Sequence, residues 1–364
     1  MISLLLACTA PDDTAEARPE TLTLAAEVAE RGKQIWPVEN LPFDWMQTVW
    51  AFGLHRLEAR QPGQHDYYAA WMEQEVSRFE GEDPKRFVSS DSMSPATMAS
   101  VAMVEDPQLQ LTLITDAGHL YLSQAPRTEN GAIQHWAEGS PFGDNGQVWV
   151  DSQFMFGMFL LSEHRRTGER EHLELWVEQY VLFSELCRDP QEQLYRHAWD
   201  DADKVNIPSE PVFWNRGNSW VLVAAAEMLR LVGPEDPAWE QIQPLFAEHA
   251  LAVLQLQATD GLWHTVLNRP QDPDNYTETS GSALIAYAFY VGHRSGALDG
   301  QYQDAAYRAV DALVEDRIDE DLTVEGTSFG TNPGDYDYYL EVVQLDDIIL
   351  GVGSVVMVLA ETSP

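Results

Sequence analysis

Apolar residues recur along this chain at three- and four-residue spacing, the period of a helix buried on one face. From residue 19 onward the pattern predicts helices over 21–35, 45–57, 67–79, 95–104, 109–123, 150–164, 171–187, 218–231, 239–257, 279–293, 302–315 and 345–360, and few convincing strands. The odd members carry polar faces of Glu, Gln, Arg and Asp. The even members are apolar and rich in small residues, as in Phe154-Met155-Phe156-Gly157-Met158 and Val223-Ala224-Ala225-Ala226, and must be buried on most sides. Twelve helices of alternating burial predict six helical hairpins closed into an inner and an outer ring. The expected fold is all-α, an (α/α)6 barrel in which residues 20–364 form one domain.

Polar motifs punctuate that pattern at or near the starts of the even helices. They are Phe43-Asp44-Trp45, Ser89-Ser90-Asp91, Trp149-Val150-Asp151, Trp214-Asn215-Arg216-Gly217-Asn218, Asn275-Tyr276-Thr277-Glu278 and Asp335-Tyr336-Asp337-Tyr338-Tyr339. Packing alone does not require acids, amides and aromatics at six such places. In a closed ring the inner helices run the same way, so their N-termini converge on one cup with free backbone N–H groups and positive dipole ends. A cup lined with Trp, Tyr, Asp and Arg suits a sugar. The long Gly-rich loops over 131–147 and 321–334 fit the same face.

Charge narrows the ligand. The net charge is −38 and the lysines are Lys33, Lys85 and Lys204, with no basic patch, so nucleic acid is excluded as a partner. The acidic surface is read as a solvated one, and an anionic ligand then needs local cations. Cys8 and Cys187 provide no disulfide framework, and Cys187 falls in an apolar helical stretch. Leu4-Leu5-Leu6-Ala7-Cys8 resembles a bacterial lipobox, followed by an acidic, Pro-containing tether over 9–20. The apolar stretch is shorter than the ~7–15 residues of a signal core and lacks a preceding basic residue. Residues 1–19 are therefore read as a truncated lipoprotein signal and tether, with Cys8 lipidated and the protein in the bacterial cell envelope. The cytoplasm is the alternative if the match is a chance one. No other segment is long and apolar enough to span a membrane, and a monomer is expected.

Candidate chemistry centres on two carboxylates. Asp151 opens one even helix behind Trp149, and Asp91 opens the preceding one in the same way. Each fits a helix cap. Together at one mouth they also fit a pair whose proton affinities are pushed apart, one neutral and one charged. Arg216, between Trp214 and Trp220, fits a carboxylate clamp or a partner for a structural acid. His135, His197 and His264 sit among aromatics, and no pair has a metal-binding HxxxH spacing, so neither a metal nor a cofactor is expected. Gly351-Val352-Gly353 reads as close helix packing.

The ordered motifs Trp149-Val150-Asp151-Ser152-Gln153-Phe154-Met155, Leu194-Tyr195-Arg196-His197-Ala198-Trp199-Asp200, Trp214-Asn215-Arg216-Gly217-Asn218-Ser219-Trp220, Gly261-Leu262-Trp263-His264 with Tyr276-Thr277-Glu278-Thr279-Ser280-Gly281, and Gly334-Asp335-Tyr336-Asp337-Tyr338-Tyr339 resemble those of unsaturated rhamnogalacturonyl hydrolases, glycoside hydrolase family 105, related to the family 88 unsaturated glucuronyl hydrolases. The resemblance spans about residues 20–360. It implies an (α/α)6 barrel that hydrates the C4=C5 double bond of an unsaturated uronic acid at the non-reducing end of lyase-generated oligosaccharides. By position in the motif, Asp151 is the implied general acid and then base, and Asp91 the second acid that orients the sugar. His197, Trp214, Arg216 and Trp220 match subsite residues, and His135 and Trp45 join that set. One departure is Asp346-Asp347-Ile348-Ile349-Leu350-Gly351, where the family's last inner helix commonly begins Asn-Asp-x-His-Gly. Rhamnogalacturonan is the family's usual source of substrate. The Lys-poor acidic surface suits a saline habitat, where ulvan fragments would serve. Two alternatives remain: a non-catalytic surface glycan-binding lipoprotein, and a glycosidase acting at the anomeric carbon through two carboxylates.

Overall fold

The computed structural model describes residues 19–81, 86–138, 140 and 146–363. Cys8 and the tether up to residue 18 lie outside the described residues. Twelve longer helices among those described are α1 Pro19–Ile35, α2 Trp45–Glu58, α3 His65–Glu75, α4 Ala96–Glu105, α5 Thr112–Gln124, α6 Gly157–Thr167, α7 Arg170–Cys187, α8 Asn215–Val232, α9 Pro237–Leu254, α10 Thr279–Arg294, α11 Gly300–Asp316 and α12 Ile349–Thr362. The even helices touch one another in the closed order α2, α4, α6, α8, α10, α12 and back to α2, and each odd helix packs on the outside of that ring. The expected (α/α)6 barrel is the observed fold.

Burial follows the alternation in the sequence. Every residue from Thr279 to Gly292 in α10 and from Ile349 to Ala360 in α12 is buried, whereas the outer helices keep exposed faces. Ring closure needs α2 and α12 at backbone contact. A Cβ on Gly53 would lie 2.4 Å from the Gly353 carbonyl oxygen, and one on Gly353 would lie 2.5 Å from Trp50 Cα. The Gly-Val-Gly stretch is therefore helix packing, as its setting suggested. Cys187 is fully buried. No helix among the described residues is long and apolar enough to cross a membrane.

Helix ends depart from the periodic reading where the mouth is built. The apolar run over 150–164 is divided into a turn of helix, Ser152–Met155, and α6, with Phe156 between them. Gly157 stands at the junction because the indole of Trp176 lies where its side chain would be, 3.1 Å from a Cβ. The helix expected from 345 starts at 349, because Leu345 pairs with Thr327 in a two-stranded ribbon and Asp347 turns the chain at φ 51°. Arg31 holds that turn through two bonds to the Asp347 carboxylate, 2.8 and 2.7 Å.

Strands, few in the sequence reading, form a band around the cup. Gln147–Trp149 pairs with Ala198–Asp200, which pairs with Val205–Ile207, all antiparallel. Single bridges join Ser89 to Trp136, Trp214 to Val266 and His264 to Thr277. These pairings bind the loops that precede the inner helices, so the mouth is a hydrogen-bonded collar rather than a set of free loops.

Candidate active site

Asp91 and Asp151 arrive at the mouth on different local structures. Ser89 caps the short helix Ser90–Met93 through a capping box with Ser92, which leaves the Asp91 carboxylate out of the cap. Asp151 occupies the cap position of Ser152–Met155 but its side chain makes no capping hydrogen bond. Neither carboxylate is consumed by helix capping. Their side chains remain 26% and 12% exposed, enough to meet a ligand. Withdrawal from water, then the charges of Asp151 and Asp44, hold the Asp91 carboxyl well above its ordinary range.

A histidine stands behind each acid. Ser152 donates to Ser90 Oγ at 2.9 Å, and Ser90 Oγ lies 2.8 Å from His135 Nδ1. A Ser90 hydroxyl that accepts from Ser152 has its own proton to give to His135 Nδ1, and in that tautomer the imidazole proton is on Nε2, which lies 3.7 Å from Asp91 Oδ2. Burial keeps His135 neutral, pushing its pKa down to about 3. Its ring lies flat on Trp149, centroids 4.1 Å apart.

The second histidine repeats the arrangement. The Gly334 N–H donates to the Tyr339 hydroxyl at 3.2 Å, and that hydroxyl is 2.9 Å from His197 Nδ1. In the tautomer that accepts from Tyr339 at Nδ1 the proton is on Nε2, 3.1 Å from Asp151 Oδ2 though out of line for a hydrogen bond. His197, Trp214 and Tyr339 form one stack: the imidazole is 4.3 Å from Trp214, and the Tyr339 ring is parallel to Trp214 at 6.1 Å. Gly217 makes room for it, since a Cβ there would lie 2.8 Å from the Trp214 ring.

Arg216 and Trp220 stand differently from the expected sugar contacts. Both are fully buried. Arg216 Nη1 donates to Ser328 O (3.0 Å), Ser328 Oγ (2.5 Å) and Ser280 Oγ (3.3 Å), and Nη2 to Phe329 O (2.7 Å) and Thr331 Oγ1 (3.0 Å). Its guanidinium lies 3.6 Å from Glu278 and 4.7 Å from the Trp214 ring centroid. The fork therefore fastens the 327–331 loop and supports Trp214 from behind. Glu278 completes that fastening by accepting from the backbone of Ser280, Gly281 and Ser328. Trp220 backs Phe154 at 4.8 Å and the half-buried Trp45 at 6.4 Å, so Trp45 is the member of that pair at the rim.

Sequence reasoning missed Tyr339, Ser90 and Ser152 as orienting groups. Tyr339 was visible only as part of an aromatic motif, since its partner His197 is 142 residues away. The collar thus presents two carboxyls, each backed by a buried imidazole, with the half-buried Trp45 at its rim and Trp149 and Trp214 stacked behind the histidines. Such a site can hold a polar ring and move a proton at one edge.

Residues 25–364 match the family model described as Glycosyl Hydrolase Family 88. The chain is 28% identical over 297 residues to the unsaturated rhamnogalacturonyl hydrolase YesR of Bacillus subtilis, covering 80% of this chain and 81% of that one. It is 29% identical over 191 residues to an unsaturated 3S-rhamnoglycuronyl hydrolase of Formosa agariphila, half of each chain. A solved Klebsiella pneumoniae protein, described as a possible member of family GH105, shares the fold with a TM-score of 0.81 at 21% identity, covering 99% of this chain and 98% of its own.

Proposed function

The chain belongs to Glycosyl Hydrolase Family 88, and from that premise we propose that its cup hydrates the C4=C5 bond of an unsaturated uronic acid at the non-reducing end of an oligosaccharide. Asp151 protonates C4, and positive charge develops at C5 and the ring oxygen. The resulting carboxylate takes a proton from water as the water adds to C5. The hemiketal opens, and the remaining sugar leaves from C1. The observation that carries this reading is the pair itself: Asp151 is uncapped beside a His197 Nε2–H, and its charge opposes ionisation of Asp91. With Asp91 held neutral, Asp151 is the carboxyl left to exchange a proton with C4 and then with water. Asp91, backed by His135, orients the sugar hydroxyls, while Trp45 faces the ring and His197 and Trp214 form the wall behind Asp151.

The named relatives act on unsaturated rhamnogalacturonyl and 3S-rhamnoglycuronyl compounds, which supports rhamnose as the neighbouring sugar, supplied by rhamnogalacturonan or ulvan lyases. The test is incubation with unsaturated disaccharides from both polymers while the ultraviolet absorbance of the double bond is followed. Loss of absorbance that disappears in Asp151→Asn supports hydration. Sugar release with the absorbance intact identifies an anomeric glycosidase, and binding without either change identifies a glycan-binding protein. The reading also includes a monomer in the cell envelope, lipidated at Cys8. Incorporation of labelled palmitate that is lost in Cys8→Ser supports the anchor, its absence overturns it, and cell fractionation then separates a periplasmic from a cytoplasmic protein.

A further inference from the structure

Away from the cup, at the other end of α6, three helices bring together side chains that the proposed reaction does not use. His119 on α5, Glu163 on α6 and His172 on α7 each offer one ligand atom, and these atoms lie within 4.8 Å of one another. The Glu163 side chain is fully buried, while those of His172 and His119 are 14% and 35% exposed, so the cluster is open on one side only. His119 Nε2 is 2.7 Å from Glu163 Oε2, and the two imidazoles stack with centroids 5.0 Å apart and planes 27° from parallel. His172 Nε2 is buried without a hydrogen-bond partner. The Glu169 carboxylate lies 3.2 Å from that nitrogen but out of line for a hydrogen bond.

A buried ring nitrogen with no partner is costly, and a fixed carboxylate with two imidazoles is a donor set that suits a borderline divalent ion. We propose that His119, Glu163 and His172 bind a divalent transition-metal ion of the zinc class, with Glu169 or water in a fourth position. Arg166 donates to both Glu163 oxygens at 2.7 Å and orients the carboxylate, as outer partners of metal ligands do. The surrounding net charge of −38 favours a cation. Bound there, the ion ties an inner helix to two outer ones and acts on stability, independently of whether the cup has the proposed activity.

The test uses the full chain after stripping with a chelator. Zinc is titrated calorimetrically, cobalt(II) is titrated by visible absorption, and melting is followed with and without zinc. One ion per chain, a cobalt spectrum of low coordination number and a zinc-dependent rise in Tm are expected. Binding should weaken at least tenfold in His119→Ala and in His172→Ala. If either alanine variant loses its native circular dichroism, His119→Gln and His172→Gln, which restore side-chain volume without the imidazole, take its place. No stoichiometric binding, or binding unchanged in both histidine variants, overturns the proposal.

Discussion

The two carboxyls of the cup differ by environment rather than by type. Asp91 is withdrawn from water and faces the charge of Asp151, so its proton is kept to higher pH than in the unfolded chain. The sign follows directly: between the unfolded and folded pKa the native state binds the extra proton, and stability falls as pH rises through that window. Asp91→Asn should therefore flatten that loss, seen as a smaller fall in Tm as pH rises above the ordinary carboxyl range, while lowering kcat. A wild-type Tm that does not decline relative to the variant as pH rises would contradict the assigned cause. Asp151→Asn should lower kcat about 10²–10⁴-fold, the usual weight of a general acid–base, with the circular dichroism unchanged. Asp91 and Asp151 could be singled out in the sequence because each stands in a motif at a helix start, and the structure places both at the mouth. The role of Arg216 could not be read there. An Arg between two Trp residues reads the same whether its fork meets a ligand or, as here, the carbonyls of a loop 112 residues away.

Hydrophobic period located every helix of the two rings, because burial on one face leaves a period in the chain. It missed the boundaries at 345–349 and 152–157, where strand pairing and a left-handed turn override it. Pairing partners such as Val148 and Trp199 are far apart in sequence, so the collar leaves no local signal. The same holds for His119, Glu163 and His172, which come from three helices with no common spacing. Helix contact makes its own prediction. Gly353→Ala places a methyl against the α2 backbone at Trp50, where nothing flexible can yield. The change should cost about 1–3 kcal/mol in denaturant unfolding, the range for overpacking. A loss below a few tenths would show that α2 and α12 separate without penalty.

At the scale of the whole molecule, a chain of net charge −38 offers its site to a substrate carrying a carboxylate. Helix N-termini supply local attraction, but the long-range field is repulsive. Screening shortens that field from about 10 Å at 0.1 M salt to about 3 Å at 1 M. The value of kcat/KM for an unsaturated uronyl disaccharide should therefore rise several-fold with added sodium chloride, mostly through KM. Its methyl ester should respond less, and equal responses would show that the surface charge does not reach the cup. The central claim is that Asp151 delivers a proton to C4, and proton magnetic resonance in D2O tests it most directly. The account predicts that the vinyl H4 signal vanishes in step with sugar release. One deuterium should appear on a single face of C4 at early times, and neither change should occur in Asp151→Asn. Release of the sugar with the vinyl signal intact, or deuteration that persists in Asp151→Asn, would contradict it.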